Sequence, residues 1–478
     1  MRVTFFTCLC ENLGVGQLAA ALKARGHVVS LVCEPLLFGG GGGENGLLAS
    51  VFDTVDRSVK RVIASRPELL AVSTTSGYYS TARRVARQVK SALGVPVAVG
   101  GAHPTLVPGR VAAEKCFDYV FEGEADLSFP GFVDALAAGA PAAGTPGLWS
   151  RDGSGRARRE APPVFPADLD ALPWADKEVW GPAVTRSGVF RVQTSRDCAF
   201  SCTYCSGGMN RRMFGVQFRR RSPQDVIEEI TARKRQMPFR CVSFLDAVFH
   251  IGKKWLAEFC AIYRREVKLP FSCQGHPLAM DRETAFLLRD AGCREITIGV
   301  QSLNPAVRKN WLGRDMTNAD IMGCLDHLEA AGIPFMVDHI IDAPGSRPED
   351  ILSAMDLYAR YRFLTRIKAY SLLYFPRFPV TEMAREAGLL DDRRMEAILD
   401  GNPSGPSESR ELTRLGKALE LFPALPPSLR ERYAQLVRKP LAAALAGRAA
   451  PLAHLSAALR ESFPTYRIFF ASRARALL

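Results

Sequence analysis

Nowhere in this chain of 478 residues does an apolar run approach the length needed to cross a bilayer. Its first residues, MRVTFFTCLCENLG, hold one early arginine but lack the long apolar stretch and small-residue cleavage site of a secretory leader. A cytoplasmic location is therefore expected. Twelve cysteines spread over such a chain are expected as reduced thiols, not as a disulfide framework. The five glycines Gly39–Gly43 lack the following Lys-Ser/Thr of a phosphate loop and read as a flexible connector. The motif SRDCAFSCTYCSGG, from Ser195 to Gly208, lacks a fourth cysteine. Two cysteines would suit a redox dithiol, and four would close a zinc site or an ordinary iron-sulfur cluster. Three leave a metal centre one ligand short.

What is present is the composition of a packed, soluble protein: 47% hydrophobic and 23% charged residues. The net charge is +13, concentrated late: residues 401–478 carry 12 Lys and Arg against 5 Asp and Glu. A second basic cluster lies at Arg219–Arg221, with Arg211 and Arg212 before it. A solvated basic face is the ordinary meaning of such patches, and an anionic or lipid-linked substrate or a membrane surface is the sharper one. No nucleic acid is expected, because the chain shows neither a second cysteine cluster nor an appended small β-barrel.

Residues 1–150 alternate strand-like runs (RVTFF, HVVSLVC, PELLAVSTT, VPVAVGGAHPT, CFDYVF) with helical ones, LGVGQLAAALKARG among them. That order predicts an open parallel sheet with a crevice at its C-terminal strand ends, lined by Cys8–Gly14, Ser73–Tyr78 and Gly100–Thr105. Glycines there admit a large polar ligand to the backbone. Equally, they would merely end strands and leave His103 at the surface. Residues 151–185, rich in Pro, Arg and Asp, read as a linker packed through Leu169, Leu172 and Trp174.

From 186 to 390 six strands are predicted at VFRVQTS, CVSFLDAVF, FSCQGH, EITIGVQS, FMVDHIIDAPG and IKAYSLLYF. Right-handed crossovers would curl them into a partial (β/α)6 barrel, with functional loops at the C-terminal strand ends. Cys198, Cys202 and Cys205 follow the first strand. Ser222 is the expected N-cap of the helix after them, with Pro223 in its first turn and Val226, Ile227 and Ile230 on one face. Residues 391–478 read as a helical C-terminal domain, cut by prolines, whose amphipathic stretch PLAAALAGRAAPLAHLSAALRESF packs on the barrel or docks on a membrane.

Thiolates hold iron-sulfur clusters, and a [4Fe-4S] cube on three cysteines keeps one iron open to substrate. Zinc would want a fourth ligand, and His250 is the nearest following histidine, 45 residues after Cys205. The spacing C-x3-C-x-Tyr-C resembles the radical S-adenosylmethionine (SAM) superfamily. That resemblance implies that Cys198, Cys202 and Cys205 bind the cluster, whose open iron chelates the amino and carboxylate groups of SAM, and that reductive cleavage gives methionine and a 5'-deoxyadenosyl radical. The segments SFLDAVF, AGCREITIGVQSLNPAVRKNWLGR and DHIIDAPGSRPED resemble later barrel segments of the superfamily, implying SAM contacts from Tyr204, Asp246, Gln301 and Asp338.

The N-terminal part, with VAVGGAHPT, DYVFEGEAD and DLDALPWAD, resembles the Rossmann-like domain of cobalamin-binding radical SAM enzymes. The resemblance implies a cobalamin site of Leu13, Gly14, Ser73, Thr74, Thr75, Gly100, Gly101, His103, Pro104, Thr105, Glu122 and Gly123. The Asp-x-His-x-x-Gly signature is absent, implying cobalamin without protein histidine on cobalt. An adenosyl radical removes hydrogen from an inert carbon and methylcobalamin can hand over a methyl group, so methylation of a small molecule or biosynthetic intermediate is the leading expectation. Oxidation, cyclisation or ring rearrangement without methyl transfer is the alternative, and modification of RNA or protein is a third. The family also implies an external electron donor such as flavodoxin or ferredoxin.

Overall fold

The computed structural model describes residues 1–8, 11–36, 53–406 and 409–439. Cys10, the run Gly39–Gly43 and the basic amphipathic stretch beyond residue 439 lie outside them. No helix among the described residues is long and apolar enough to cross a membrane. Two compact units result: Met1–Val184 with Tyr374–Ser404, and Thr185–Leu373 with the described residues from Gly405 to Lys439.

In the first unit β1 (Arg2–Cys8), β2 (Val28–Glu34), β3 (Leu69–Ser73), β4 (Val97–Gly100) and β5 (Tyr119–Phe121) form a parallel sheet in the order β2-β1-β3-β4-β5. Because strand side chains alternate, the buried run of β1 serves two cores. Phe6, Val72 and Val99 pack on one face with Val62, Val85 and Phe117. Val3, Phe5 and Ala71 pack on the other with Val15, Leu22 and Phe129. The expected strand VPVAVGGAHPT stops at Gly100, and Ala102–Leu106 is a short helix. Gly101 makes that switch at φ +105°, where a Cβ would lie 2.5 Å from Thr74 O.

The stretch read as a linker opens with structure instead. β6 (Leu148–Arg151) and β7 (Ala157–Arg159) add an antiparallel hairpin to the sheet edge beside β5. Leu169 and Leu172 are buried as expected, and Trp174 is half-buried. The late segment, Tyr374–Ser404, is closed on itself by a bridge between its two end residues and rejoins this unit through Arg110, which donates to Asp400 and Glu396 at 2.9 Å each.

In the second unit β8 (Val189–Val192) is followed by a two-stranded antiparallel ladder, β9 (Ser195–Arg196) on β10 (Arg219–Arg220). Then come β11 (Cys241–Phe244), β12 (Phe271–Gly275), β13 (Cys293–Gln301), β14 (Phe335–Ile340) and β15 (Leu364–Tyr370). The six expected strands form one parallel sheet in the order β15-β14-β13-β12-β11-β8, each beside its predecessor, which is the partial barrel. Phe190, Val242, Ile296, Val337 and Ile367 fill the helix-side core. Alternate residues, including Arg191, Ser243, Gln274, Thr297, Asp338 and Lys368, fall on the opposite, polar face. Ser222 caps Pro223–Gln236 by accepting from Asp225 N at 3.1 Å, and Val226, Ile227 and Ile230 are fully buried.

Candidate functional site

The cysteine loop leaves the ladder through Asp197, held at φ +66° by Arg219, which donates to its carboxylate at 2.5 Å. Cys198 and Cys202 are buried and Cys205 is half-buried. Phe200 N–H donates to Cys198 Sγ at 3.5 Å and Gly207 N–H to Cys205 Sγ at 3.3 Å. A Cβ on Gly207 would stand 3.3 Å from Cys198 Cβ and 3.4 Å from Cys205 Sγ, so a side chain there would crowd both cysteines. Burial first, and then the neighbouring cysteines, push the Cys198 and Cys205 thiols up, while those N–H donors pull them down. Three convergent thiols with N–H···S bonds are the donor chemistry of a three-cysteine cluster.

A second segment clamps this loop. Thr203 N–H donates to Leu312 O at 3.2 Å, Thr203 Oγ1 donates to Trp311 O, and Gly313 turns away at φ +61°. Arg314 then reaches back. Its Nη1 lies 3.4 Å from Cys202 Sγ and 3.5 Å from Tyr204 OH, and its Nη2 donates to Gly299 O at 2.5 Å. Tyr204 is half-buried, and burial raises its phenol above the ordinary range. Sequence alone gives Arg314 no role; the signal it offers is a glycine-arginine pair closing the segment AGCREITIGVQSLNPAVRKNWLGR.

Zinc coordination by His250 does not suit the geometry. Its Nδ1 bonds Ala279 O at 2.9 Å and its Nε2 accepts from His276 N at 3.2 Å, so both ring nitrogens are engaged. Among the described residues no group of three or more His, Cys, Asp or Glu could hold a single metal ion.

Asp246 is fully buried just beyond β11, and its carboxylate accepts from Thr194 N (3.0 Å), Thr194 Oγ1 (2.9 Å) and Ser195 Oγ. It ties down the chain entering the cysteine loop. Burial raises its carboxyl, opposed by these donors and by Arg220. Gln301 closes β13 at φ +69° beside a register shift, and Gly299 leaves room for its amide, since a Cβ there would meet Nε2 at 2.8 Å. Asp338 pairs in register with Gly299, and its Oδ1 is buried with no hydrogen-bond partner among the described residues. Burial raises this carboxyl and Lys368 counters. An unpartnered buried acceptor at this end of the sheet fits a polar ligand.

In the first unit, the strand-end loops are knit together. Asn12 caps Leu13–Ala24 by accepting from Val15 N at 3.2 Å, leaving Leu13 half-buried and Gly14 exposed, and its Nδ2 donates to Ser73 Oγ at 3.3 Å. Thr74 N–H donates to Gly100 O at 3.0 Å, and Thr75 is exposed. Thr105 Oγ1 donates to Gly101 O at 2.9 Å and accepts from Gly123 N at 3.0 Å. Pro104 is buried beside them.

His103 is not at the surface. Its ring is fully buried, 4.2 Å from that of Tyr79, with Nδ1 3.0 Å from Ser76 Oγ, and burial lowers it to about 4. Glu122, also buried, accepts from Trp149 Nε1 at 2.9 Å and Arg159 at 3.3 Å. Its carboxylate thus serves the β6–β7 hairpin. A further pair unassigned from sequence is Lys177, which donates to Glu11 with both side chains buried.

Residues 192–358 match the radical SAM superfamily and residues 6–133 match the B12 binding domain. An uncharacterized methyltransferase of Pyrococcus horikoshii is 25% identical over 295 residues, 60% of this chain and 62% of that protein, so under two thirds of its length is matched. Cytidylyl-2-hydroxyethylphosphonate methyltransferase of Streptomyces wedmorensis is 23% identical over 423 residues, 78% of this chain and 77% of the relative. The structure of the radical SAM methyltransferase TsrM from Kitasatospora setae, with tryptophan and a SAM analogue, aligns with a TM-score of 0.64 at 19% identity, covering 82% of this chain and 77% of that one. At that identity the likeness is one of fold. A B12-binding domain is thus followed in this chain by a radical SAM domain, the pair of domains that calls for a [4Fe-4S] cluster, SAM and cobalamin.

Proposed function

We propose that the protein is a cobalamin-dependent radical SAM methyltransferase that methylates an unactivated carbon of a small molecule or biosynthetic intermediate. The observation that carries this reading is the pairing of a three-thiol loop in a radical SAM domain with a B12-binding domain in one chain. Both curated relatives being named methyltransferases supports methyl transfer over other radical outcomes. When bound, cluster and SAM supply a radical able to take hydrogen from carbon, and cobalamin supplies a carrier for the methyl group.

In this reading Cys198, Cys202 and Cys205 hold the cluster. Arg314 and the Phe200 and Gly207 N–H groups stabilise negative charge on sulfur. Asp338, with its unpartnered oxygen, Tyr204 and Gln301 face SAM, while Asp246 acts by fixing Thr194 and Ser195. Thr74, Thr75, Gly100 and Gly101 present backbone and hydroxyl groups to the corrin, and Leu13 and Gly14 open the first helix beside it. His103 supports that wall from within. Electrons come from an external donor such as flavodoxin or ferredoxin, and the basic C-terminal region is a candidate contact for a membrane surface or an anionic substrate. The expected test is stoichiometric: per product formed, one SAM ends as S-adenosylhomocysteine and a second as 5'-deoxyadenosine. Turnover with 5'-deoxyadenosine alone would contradict methyl transfer.

A further inference from the structure

His276 stands at the end of β12 and has no part in the assignments above. It is 5% exposed. Its ring lies flat on Phe200, the residue midway between Cys198 and Cys202, with centroids 3.7 Å apart and planes inclined by 13°. Three contacts fix how the ring is presented. Leu278 N–H donates to Nδ1 at 3.2 Å, so Nδ1 is an acceptor and the neutral ring carries its proton on Nε2. The His276 backbone N–H is held by His250 Nε2 at 3.2 Å, and His250 is in turn anchored through Nδ1 to Ala279 O. Gly275 admits this arrangement because a Cβ there would sit 2.6 Å from His250 Nε2.

The result is a largely buried imidazole whose tautomer is set and whose Nε2–H makes no hydrogen bond among the described residues, on an edge of the ring that is not sealed from solvent. Burial, then the Arg314 charge and His250, push the ring down to about 2, so it stays neutral at any physiological pH. An apolar aromatic ring would pack on Phe200 as well, so what histidine adds here is a donor of fixed direction on the ring edge left free for a ligand. Its position beside the loop that carries the three cysteines, with Arg314 nearby, marks a place where a ligand oxygen can take that hydrogen bond.

We propose that His276 is a SAM-contacting residue, donating from Nε2–H to a carboxylate or ribose oxygen of the SAM bound beside the cysteine loop. This rests on the radical SAM reading above. Two substitutions separate donor from packing: His276→Phe keeps a ring against Phe200 and removes the donor, whereas His276→Gln keeps an N–H and loses the stack. With cluster-loaded protein, equilibrium dialysis should show SAM affinity about 10- to 100-fold weaker for His276→Phe, the effect of removing a hydrogen bond to a polar or charged group, and largely restored for His276→Gln. Iron content should stay at the wild-type level in both.

S-adenosylhomocysteine and 5'-methylthioadenosine distinguish the two oxygens. A penalty shared by both probes places the bond on the ribose, and one confined to S-adenosylhomocysteine, which keeps the carboxylate, places it there. A readout independent of the loaded enzyme is nitrogen-15 NMR of histidine-labelled apoprotein, which should show the His276 proton on Nε2 with no titration between pH 5 and 8. Unchanged SAM affinity in His276→Phe, or a proton found on Nδ1, would overturn the proposal. So would loss of iron in both variants, which would make His276 only a support of the loop. If wild-type protein itself loads a cluster but binds no SAM, the functional reading fails and the proposal with it.

Discussion

Gly313→Ala tests whether the cysteine loop is held by the segment after β13. Gly313 has φ +61°, where an alanine costs about 1–2 kcal/mol, and the new Cβ would sit 2.9 Å from Thr203 Cγ2 and 3.3 Å from Thr203 N. Overpacking of that kind adds about 1–3 kcal/mol, so a destabilisation on the order of 2–5 kcal/mol is expected, concentrated in the loop between Cys202 and Cys205. The clash is with one methyl group. Thr203→Ser removes it while keeping the hydroxyl that donates to Trp311 O, so the double variant should recover the packing part and retain only the backbone part. Anaerobic reconstitution followed by iron analysis and thermal unfolding provides the measurement. Low iron and a lowered Tm in Gly313→Ala, both partly restored in the double variant, are expected. Wild-type iron and Tm in the single variant would refute the clamp.

Removing the Arg314 charge beside Cys202 Sγ, as Arg314→Met, should move the one-electron cluster midpoint potential negative by about 130 mV. A unit charge some 5 Å away at an effective dielectric of about 20 is worth roughly 3 kcal/mol, and an unchanged midpoint in an EPR-monitored titration would refute it. Gly101→Ala places a Cβ 2.5 Å from the Thr74 carbonyl oxygen at φ +105°, so corrinoid retention and Tm should both fall, and wild-type values for both would count against the knitted wall. His103 is depressed to about 4 by burial, so the unfolded chain binds more protons between about pH 6.5 and 4, and stability fully present above that window is lost as pH falls through it. His103→Phe should therefore lower Tm at pH 7 by leaving Ser76 unpaired, yet flatten its decline from pH 6.5 to 4.5; an unaltered slope would contradict this.

Much of this architecture could be read from periodicity. Six apolar runs at β/α spacing became six parallel strands in order, and Ser222, Pro223 and the Val226–Ile230 face behaved as their positions required. The misread places are those where a local signal was weak or overruled by a partner distant in sequence. In VAVGGAHPT, Gly101 breaks the strand because Thr74 O leaves no space for a side chain, a contact invisible along the chain. The β6–β7 hairpin is carried by four- and three-residue strands rich in arginine, too short for alternation to register, though the Asp152–Gly155 turn was a usable cue. The return of Tyr374–Ser404 to the first unit is held by Arg110, Asp400 and Glu396, charges that look like ordinary surface residues in sequence.

At the site, the three cysteines carried their meaning in spacing alone. Their surroundings did not. Arg314 and His276 reach the cysteine loop from 109 and 71 residues beyond Cys205, brought there by strand order. The resemblance of SFLDAVF implied a SAM contact for Asp246, and what the sequence did not show is that its carboxylate also accepts from Thr194 and Ser195. Charge, hydroxyl and strand end are readable from sequence; which partner is already satisfied is a property of three dimensions.

Methyl transfer itself is tested most directly by following the methyl hydrogens of SAM. Cells expressing the wild-type chain, or a variant with Cys198, Cys202 and Cys205 all changed to Ala, are fed methionine deuterated in its methyl group, and their metabolites are compared by mass spectrometry. A product found only with the wild-type chain and carrying the intact trideuteromethyl group is the predicted result. A wild-type-dependent product without the label would contradict methyl transfer while leaving the radical SAM domain and its cysteine loop in place.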